Sequence, residues 1–217
     1  MRSKVKVTMM ALVTVAASNA IGAASASANW FIGGTELKTS AALSTAATVT
    51  QHLQLSTPNI SLTLLCSSLK MDVKETEVFF DLWKSREWNI LECNTAKPAT
   101  GCALAVSNQT ISTSGLNGRP FLGPGGEDRI LFSAQTKATL AEIEFNEANT
   151  CVFNGREPLK GAVTFGMPTG QTEAIAQALV GLGSVENNSL ELGSGNKTFI
   201  NGEVLFTLAS GSKWSFK

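Results

Sequence analysis

Apolar and polar residues alternate along most of the chain in short runs, and residues that favour turns separate these runs. Because successive side chains of a strand point to opposite faces, a period of two predicts a half-buried β-strand. Residues 49–55, 60–66 and 141–145 show this period most clearly, and residues 30–37 predict a hairpin around a Gly-Gly turn. Two strands are predicted within 71–91, with a helical turn through FFDLWK as the alternative. Further strands are predicted at 159–165, 190–192, 198–200, 203–209 and 213–216. About ten short strands predict an all-β fold, an antiparallel β-sandwich or a partly open barrel.

Three segments depart from this alternation. Within residues 172–180, Ile175 and Leu179 are four positions apart and Gly181 follows, so the sequence predicts at most one short helix there. Residues 116–129 are rich in glycine and proline and predict a long loop. Residues 39–48 are small and weakly patterned, which predicts irregular structure or an edge strand.

The first 28 residues have the features of a signal peptide. A basic start precedes a short apolar run at 9–17, and Ala26-Ser27-Ala28 supplies the small residues that favour cleavage before Asn29. Residues 29–217 then form the mature chain, which we expect to be a single domain without a transmembrane segment. The leader carries three of the 17 Lys and Arg residues and none of the 17 Asp and Glu residues, so the mature net charge is about −3. That charge gives no electrostatic attraction to nucleic acid.

The four cysteines predict two disulfides, because an exported chain meets an oxidising environment and no CxxC pair suggests a metal or redox site. Four cysteines allow three pairings. The segment between Cys93 and Cys102 is short and contains a proline and a glycine, which favours a local bridge between these two. The sequence therefore predicts the pairs Cys93–Cys102 and Cys66–Cys151.

Few residues offer catalytic chemistry. His52 is the only histidine and occupies a polar position of an alternating strand, so neither a nucleophilic triad nor a metal site is expected. Glu142 and Glu144 share one strand face, which leaves a small carboxylate-dependent hydrolase as an alternative. Carboxylates that alternate with apolar residues usually form the solvated face of a strand, and we therefore predict no catalytic, cofactor or metal site.

Two features could bind a partner, for example a cell-surface glycan or protein. Trp83 and Trp88 could form an aromatic platform, although large aromatic residues more often fill a core. Arg119, Glu127 and Asp128 lie in the predicted loop, and loops often carry binding residues. These five residues are the predicted ligand surface.

From residue 29 onward, the order of several motifs resembles a group of uncharacterised exported β-rich proteins from soil actinobacteria. The shared landmarks are NWFIGGTEL, Cys66, the Cys93 and Cys102 pair, CALAVSNQTIST, AEIEF followed by CVFNG and LKG, and NGEVLFTLASGSKW. The aromatic segment FFDLWKSREW is not part of the resemblance. The resemblance implies a bacterial exported protein and assigns no functional residue.

Taken together, these observations lead us to expect an exported, non-enzymatic β-domain with a structural or adhesive role at the cell surface or in the envelope. A carbohydrate- or ligand-binding module is the first alternative, and the carboxylate-dependent hydrolase is the second.

Overall fold

The computed structural model describes residues 29–39, 41–43, 45–50, 52–71, 76–79, 82–85, 88–97, 101–136, 138–146, 151–153, 155–168, 173–181 and 189–216. Within these residues the fold is nearly all β, with twenty strands, one short 3-10 turn at Pro58–Ile60 and no α-helix. The prediction of an all-β, disulfide-bonded fold with antiparallel sheets is confirmed. The predicted signal peptide lies outside the described residues.

The described residues contain more strands than the pattern predicts, partly because the predicted run at 159–165 is divided between two sheets. In chain order they are β1 Trp30–Ile32, β2 Thr35–Glu36, β3 Ala41–Leu43, β4 Thr45–Val49, β5 Leu53–Thr57, β6 Leu62–Met71, β7 Thr76–Phe79, β8 Leu82–Ser85, β9 Trp88–Lys97, β10 Gln109–Ser112, β11 Leu116–Leu122, β12 Asp128–Ala134, β13 Thr139–Glu144, β14 Arg156–Lys160, β15 Ala162–Gly166, β16 Ala176–Gly181, β17 Glu191–Leu192, β18 Asn196–Lys197, β19 Phe199–Leu208 and β20 Trp214–Phe216.

Thirteen strands form the main sheet, in the order β10-β9-β6-β5-β19-β16-β15-β12-β11-β8-β7-β3, with β4 also paired to β19. The nine strands from β4 and β19 to β3 curl into a half-barrel. The long strand β19 therefore joins the half-barrel to the strands around β5. Where the partner of β19 changes between β5 and β4, Gly202 of β19 has φ +125° and a Cβ there would lie 2.7 Å from the His52 carbonyl oxygen, so glycine allows the two main chains to approach closely.

A four-stranded sheet, β13-β14-β17-β18, continues from the β10 edge of the main sheet. The bridges Thr113–Ala141 and Leu104–Phe145 link the two sheets. Strand β13 confirms the alternation predicted at 141–145, since Ala141, Ile143 and Phe145 are all buried.

The core of the half-barrel is aromatic. The Trp88 ring lies 4.7 Å from Phe132 and 5.6 Å from Phe206, and Phe132 lies 5.8 Å from Phe165, measured between ring centroids. The pairs Trp88–Phe132 and Phe132–Phe165 are edge-to-face, and such pairs add about 0.5–1.5 kcal/mol each beyond the area that they bury. Trp88 therefore fixes β9 to the concave face of the half-barrel.

The two ends of the described chain pair with each other, an arrangement that we call the terminal clasp, formed by β1, β2 and β20. Strand β1 is antiparallel to β20, with Trp30 opposite Phe216 and Ile32 opposite Trp214. The Trp30 ring lies 5.8 Å from Trp214 and 5.4 Å from Phe216, and all three side chains are buried. The predicted hairpin at 30–37 is confirmed, and the Glu173 carboxylate accepts a hydrogen bond from the Gly34 amide in its turn at 2.6 Å.

The predicted disulfide pairing is wrong. The structure joins Cys66 to Cys93, with Cα atoms 4.0 Å apart, and Cys102 to Cys151, with Cα atoms 4.6 Å apart. Residues 88–97 form one strand that pairs with β6 and sets Cys93 directly opposite Cys66. Pairing of strands therefore decides the partners, and the ease of closing a short loop does not.

The predicted loop at 116–129 is also wrong, because β11 and β12 form a hairpin there with a short turn at 123–127. Glycine and proline occupy inward positions of β11. A Cβ on Gly118 would lie 2.7 Å from the Phe132 ring, so only glycine fits that position. Pro120 follows the segment Leu116–Gly118 that pairs with β8, and proline is tolerated where a strand has an open edge.

The predicted helix at 172–180 is a strand in its described part. Gln177, Leu179 and Gly181 are buried and alternate with half-buried residues along β16, which pairs with β19 throughout. Ile175, which suggested the helical spacing with Leu179, is 55% exposed. Thr172, the first residue of the predicted helix, lies outside the described residues.

The predicted strand at 159–165 is two strands in different sheets. Strand β14 belongs to the four-stranded sheet and β15 to the half-barrel. The chain passes between them at Gly161, whose φ of +98° suits glycine.

Candidate functional site

The tip of the β11–β12 hairpin holds a network of charged groups. One Glu127 oxygen, Oε2, accepts a hydrogen bond from the Gly125 amide at 2.8 Å, and the other, Oε1, pairs with the Arg129 guanidinium. The turn closes through Gly123, whose amide donates to the Glu127 carbonyl at 2.7 Å. A Cβ on Gly123 would lie 2.4 Å from both Arg129 Nε and Glu127 Oε1, so glycine makes room for the ion pair.

These contacts lower the pKa of Glu127 from its ordinary value. The main causes are a hydrogen bond from the main-chain amide of Glu127 itself and then the hydrogen bond and charge of Arg129, against an opposing effect of burial. The carboxylate is 42% exposed, whereas the Arg129 side chain is 9% exposed. The tip is therefore a turn held by the Glu127 side chain, whose ionised carboxylate is partly exposed to solvent.

The other two residues predicted in this loop lie on opposite faces of the hairpin. Arg119 is exposed on the outer face of β11. Asp128 begins β12, is 2% exposed and follows the alternation of the buried Ile130 and Phe132. The structure therefore brings Arg119 and Glu127 to the surface and takes Asp128 out of the predicted ligand surface.

Trp88 is 4% exposed and belongs to the core. The prediction that it forms part of a ligand surface is therefore wrong, and the alternative that it fills the core is correct. The Trp88 main-chain amide donates a hydrogen bond to the Thr113 hydroxyl at 2.9 Å. The Trp88 carbonyl accepts one from the Thr113 amide at 2.8 Å. Trp83 lies in β8 opposite Val78 and Gly118, and its side chain is outside the described part of the structure.

Glu142 and Glu144 lie on the exposed face of β13, as the sequence predicts. Glu144 Oε2 lies 3.6 Å from Arg156 Nε, and both side chains are at least half exposed. Exposed pairs of this kind contribute little to stability. His52 is also exposed, at the bend between β4 and β5.

Two small apolar spaces occur inside the described fold. A cavity of about 30 Å³ lies among Leu53, Trp88, Leu140, Phe165 and other core residues. A second, of about 20 Å³, opens between the terminal clasp and β19 beside Trp30, Leu43 and Trp214. Both are little larger than the space of a single water molecule, and ligand sites are usually far larger. In the described ranges, no group of three or more His, Cys, Asp or Glu side chains could hold a metal ion.

The terminal clasp is not evident from the sequence. The signal that could have found it is the pair of aromatic segments at the chain ends, WF at 30–31 and WSF at 214–216. Each is too short to predict more than an isolated strand, and nothing in the sequence states that they are partners.

These features define a class: an antiparallel, all-β protein with two disulfides, both typical of an oxidising compartment. Within the described residues, no helix has the length and apolar character needed to cross a membrane. No family model, curated protein or solved structure matches the chain.

Proposed function

We propose that this protein is an exported, non-enzymatic β-domain with a structural or adhesive role at the cell surface or in the envelope. The predicted leader at 1–28 supports export, and so does the use of all four cysteines in disulfides.

The main support for the proposal is that the cysteines, Trp88 and Glu127, which could have served a functional site, have structural roles. One disulfide joins the paired strands β6 and β9, the other joins two segments between strands, Trp88 fills the half-barrel, and Glu127 holds the hairpin turn. A scaffold with paired first and last described strands and two disulfide cross-links suits a protein that has to stay folded outside the cell.

Two assays on the disulfide-bonded mature chain, residues 29–217, test the proposal. In the first, the protein is sedimented with the envelope fraction of the cells that produce it, and we expect saturable retention. In the second, glycoside, ester and peptide substrates are offered to the wild type and to Glu142→Gln and Glu144→Gln variants, and we expect no turnover. Turnover that either substitution abolishes would support the hydrolase instead.

A further inference from the structure

The outer face of β6, β9 and β10 carries a cluster of polar side chains that we name the amide face. Its members are Ser67, Lys70, Asn89, Glu92, Asn94, Asn108 and Ser112, of which all but the half-buried Asn89 are exposed. Strand register sets Lys70 beside Asn89 and Asn89 beside Ser112, one row across three strands. From strand spacing and rise, the cluster measures about 10 Å across the strands and about 17 Å along β9.

Hydrogen bonds between these side chains fix their positions. Asn94 Nδ2 donates to Asn108 Oδ1 at 2.8 Å, and the Asn108 main-chain amide donates back to Asn94 Oδ1 at 3.0 Å. In the next row, the Ser112 hydroxyl donates to Asn89 Oδ1 at 2.6 Å. A surface whose side chains are already fixed loses less entropy when it binds.

The backbone beneath the amide face is locally strained at two residues. Glu92 and Asn108 both have φ of +55°, a conformation that is uncommon for residues other than glycine, above all for glutamate. The Cys66–Cys93 disulfide lies on the inner side of the same strands, next to the contact between the Ser67 hydroxyl and Glu92 Oε2. Strain of this kind persists where the surrounding structure fixes it, and it is concentrated at functional sites.

The amide face keeps both donors and acceptors for a ligand. Within the described part of the chain, the Nδ2 groups of Asn89 and Asn108 donate to no protein acceptor, the Lys70 amine has no ion-pair partner, and Glu92 Oε1 accepts from no protein donor. A hydroxyl group both donates and accepts hydrogen bonds, so neighbouring sugar hydroxyls could match this mixture. The one cation, Lys70, is balanced by Glu92, so the face attracts no polyanion.

We propose that the amide face binds a neutral, hydroxyl-rich polymer, that is, an uncharged polysaccharide. This inference rests on the proposed adhesive function and names the ligand class. Recognition is by hydrogen bonds, since none of the seven side chains is aromatic. Each contact is therefore weak, and the affinity is the sum of several hydrogen bonds across the face.

The test is co-sedimentation of the disulfide-bonded mature protein with insoluble chitin, cellulose and starch, and with immobilised polyglutamate as an anionic comparison. We expect retention on at least one neutral polymer and none on polyglutamate. The variant Asn94→Ala/Asn108→Ala and the variant Asn89→Leu should each weaken retention about tenfold, the effect of losing about 1.4 kcal/mol. The second variant leaves the left-handed positions untouched, so it still tests the face if the first one misfolds.

Matched controls are Glu142→Ala and Lys197→Ala, exposed residues of the four-stranded sheet, which should bind like the wild type. Absence of retention on all three neutral polymers would overturn the inference, as would retention that both amide-face variants leave unchanged. Sedimentation with the envelope fraction separates the two proposals. If amide-face variants still bind the envelope fully, the adhesive function stands and this inference fails; if the wild type binds neither polymers nor envelope, both fail.

Discussion

At the scale of single residues, Glu127 shows how a flexible sequence becomes an ordered turn. GPGGE contains three glycines, which predicts a mobile loop, yet the carboxylate bonds the Gly125 amide and the Arg129 guanidinium. The long-range pairing of β11 with β12 brings Arg129 to the turn, and composition alone does not reveal that contact.

We predict that the stability contributed by Glu127 depends on pH. Because folding lowers the pKa of this carboxyl, its contribution is complete above the ordinary pKa and is lost as pH falls through the lower folded value. Glu127→Gln should therefore lower the thermal midpoint at pH 7, and the difference from wild type should shrink as the pH falls below the ordinary pKa of a glutamate. Thermal unfolding of the wild type and the variant from pH 7 downwards measures this difference, with Glu142→Gln as the control. A difference that stays constant with pH would contradict the assignment.

Gly161 should tolerate no side chain. A Cβ there would lie 2.1 Å from the Ser189 carbonyl oxygen, and φ is +98°. Gly161→Ala should lower the free energy of unfolding by more than about 2 kcal/mol. Backbone strain and a clash between two main-chain segments both contribute to this loss. Gly195→Ala is the matched control, since φ is +78° but no atom lies within 4 Å of the added Cβ, and it should cost about 1–2 kcal/mol. Urea unfolding of both variants measures the difference, and equal losses would show that the clash is absent.

At the scale of elements, the disulfides report strand pairing. Peptide mapping without reduction should recover Cys66 linked to Cys93 and Cys102 linked to Cys151. In the chain-entropy model the separations of 27 and 49 residues correspond to about 3.6 and about 4.1 kcal/mol, so Cys66→Ser/Cys93→Ser and Cys102→Ser/Cys151→Ser should destabilise to similar extents. A peptide containing Cys93 linked to Cys102 would contradict the fold around β9.

Elements with strict alternation were predictable from the sequence, and elements defined by their neighbours were not. Strand β13 and the β1–β2 hairpin follow local rules and were predicted correctly. The break at Gly161 and the hairpin at 116–134 depend on which sheet receives each strand. Small residues caused the error at β16, because alternating alanines carry almost no periodic signal.

At the scale of the whole molecule, the terminal clasp joins the first described strand to the last one. Deleting β20, or replacing Trp30 with alanine, should each remove the packing among Trp30, Trp214 and Phe216. Loss of a buried tryptophan typically costs about 3–5 kcal/mol. Because the two changes remove the same contacts, their combined effect should be smaller than the sum. Urea unfolding of the three variants tests this, and additive losses would show that β1 and β20 act independently.

Only part of the candidate site can be predicted from the sequence. Exposure of Glu142, Glu144 and Arg119 follows from alternation and could be predicted. The burial of Asp128 and the gathering of the amide face could not, since both depend on register between strands that are distant in sequence. In the sequence, the amide residues of this face are scattered. The pairing of β9 with β10 is what brings Asn89, Asn94 and Asn108 close together.

The most direct test of the proposed function is mass spectrometry of the native protein recovered from fractionated cells. We expect a mature chain that begins at Asn29, carries both disulfides and occurs in the envelope or the medium. A chain that begins at Met1 with four free thiols in the cytoplasm would contradict it.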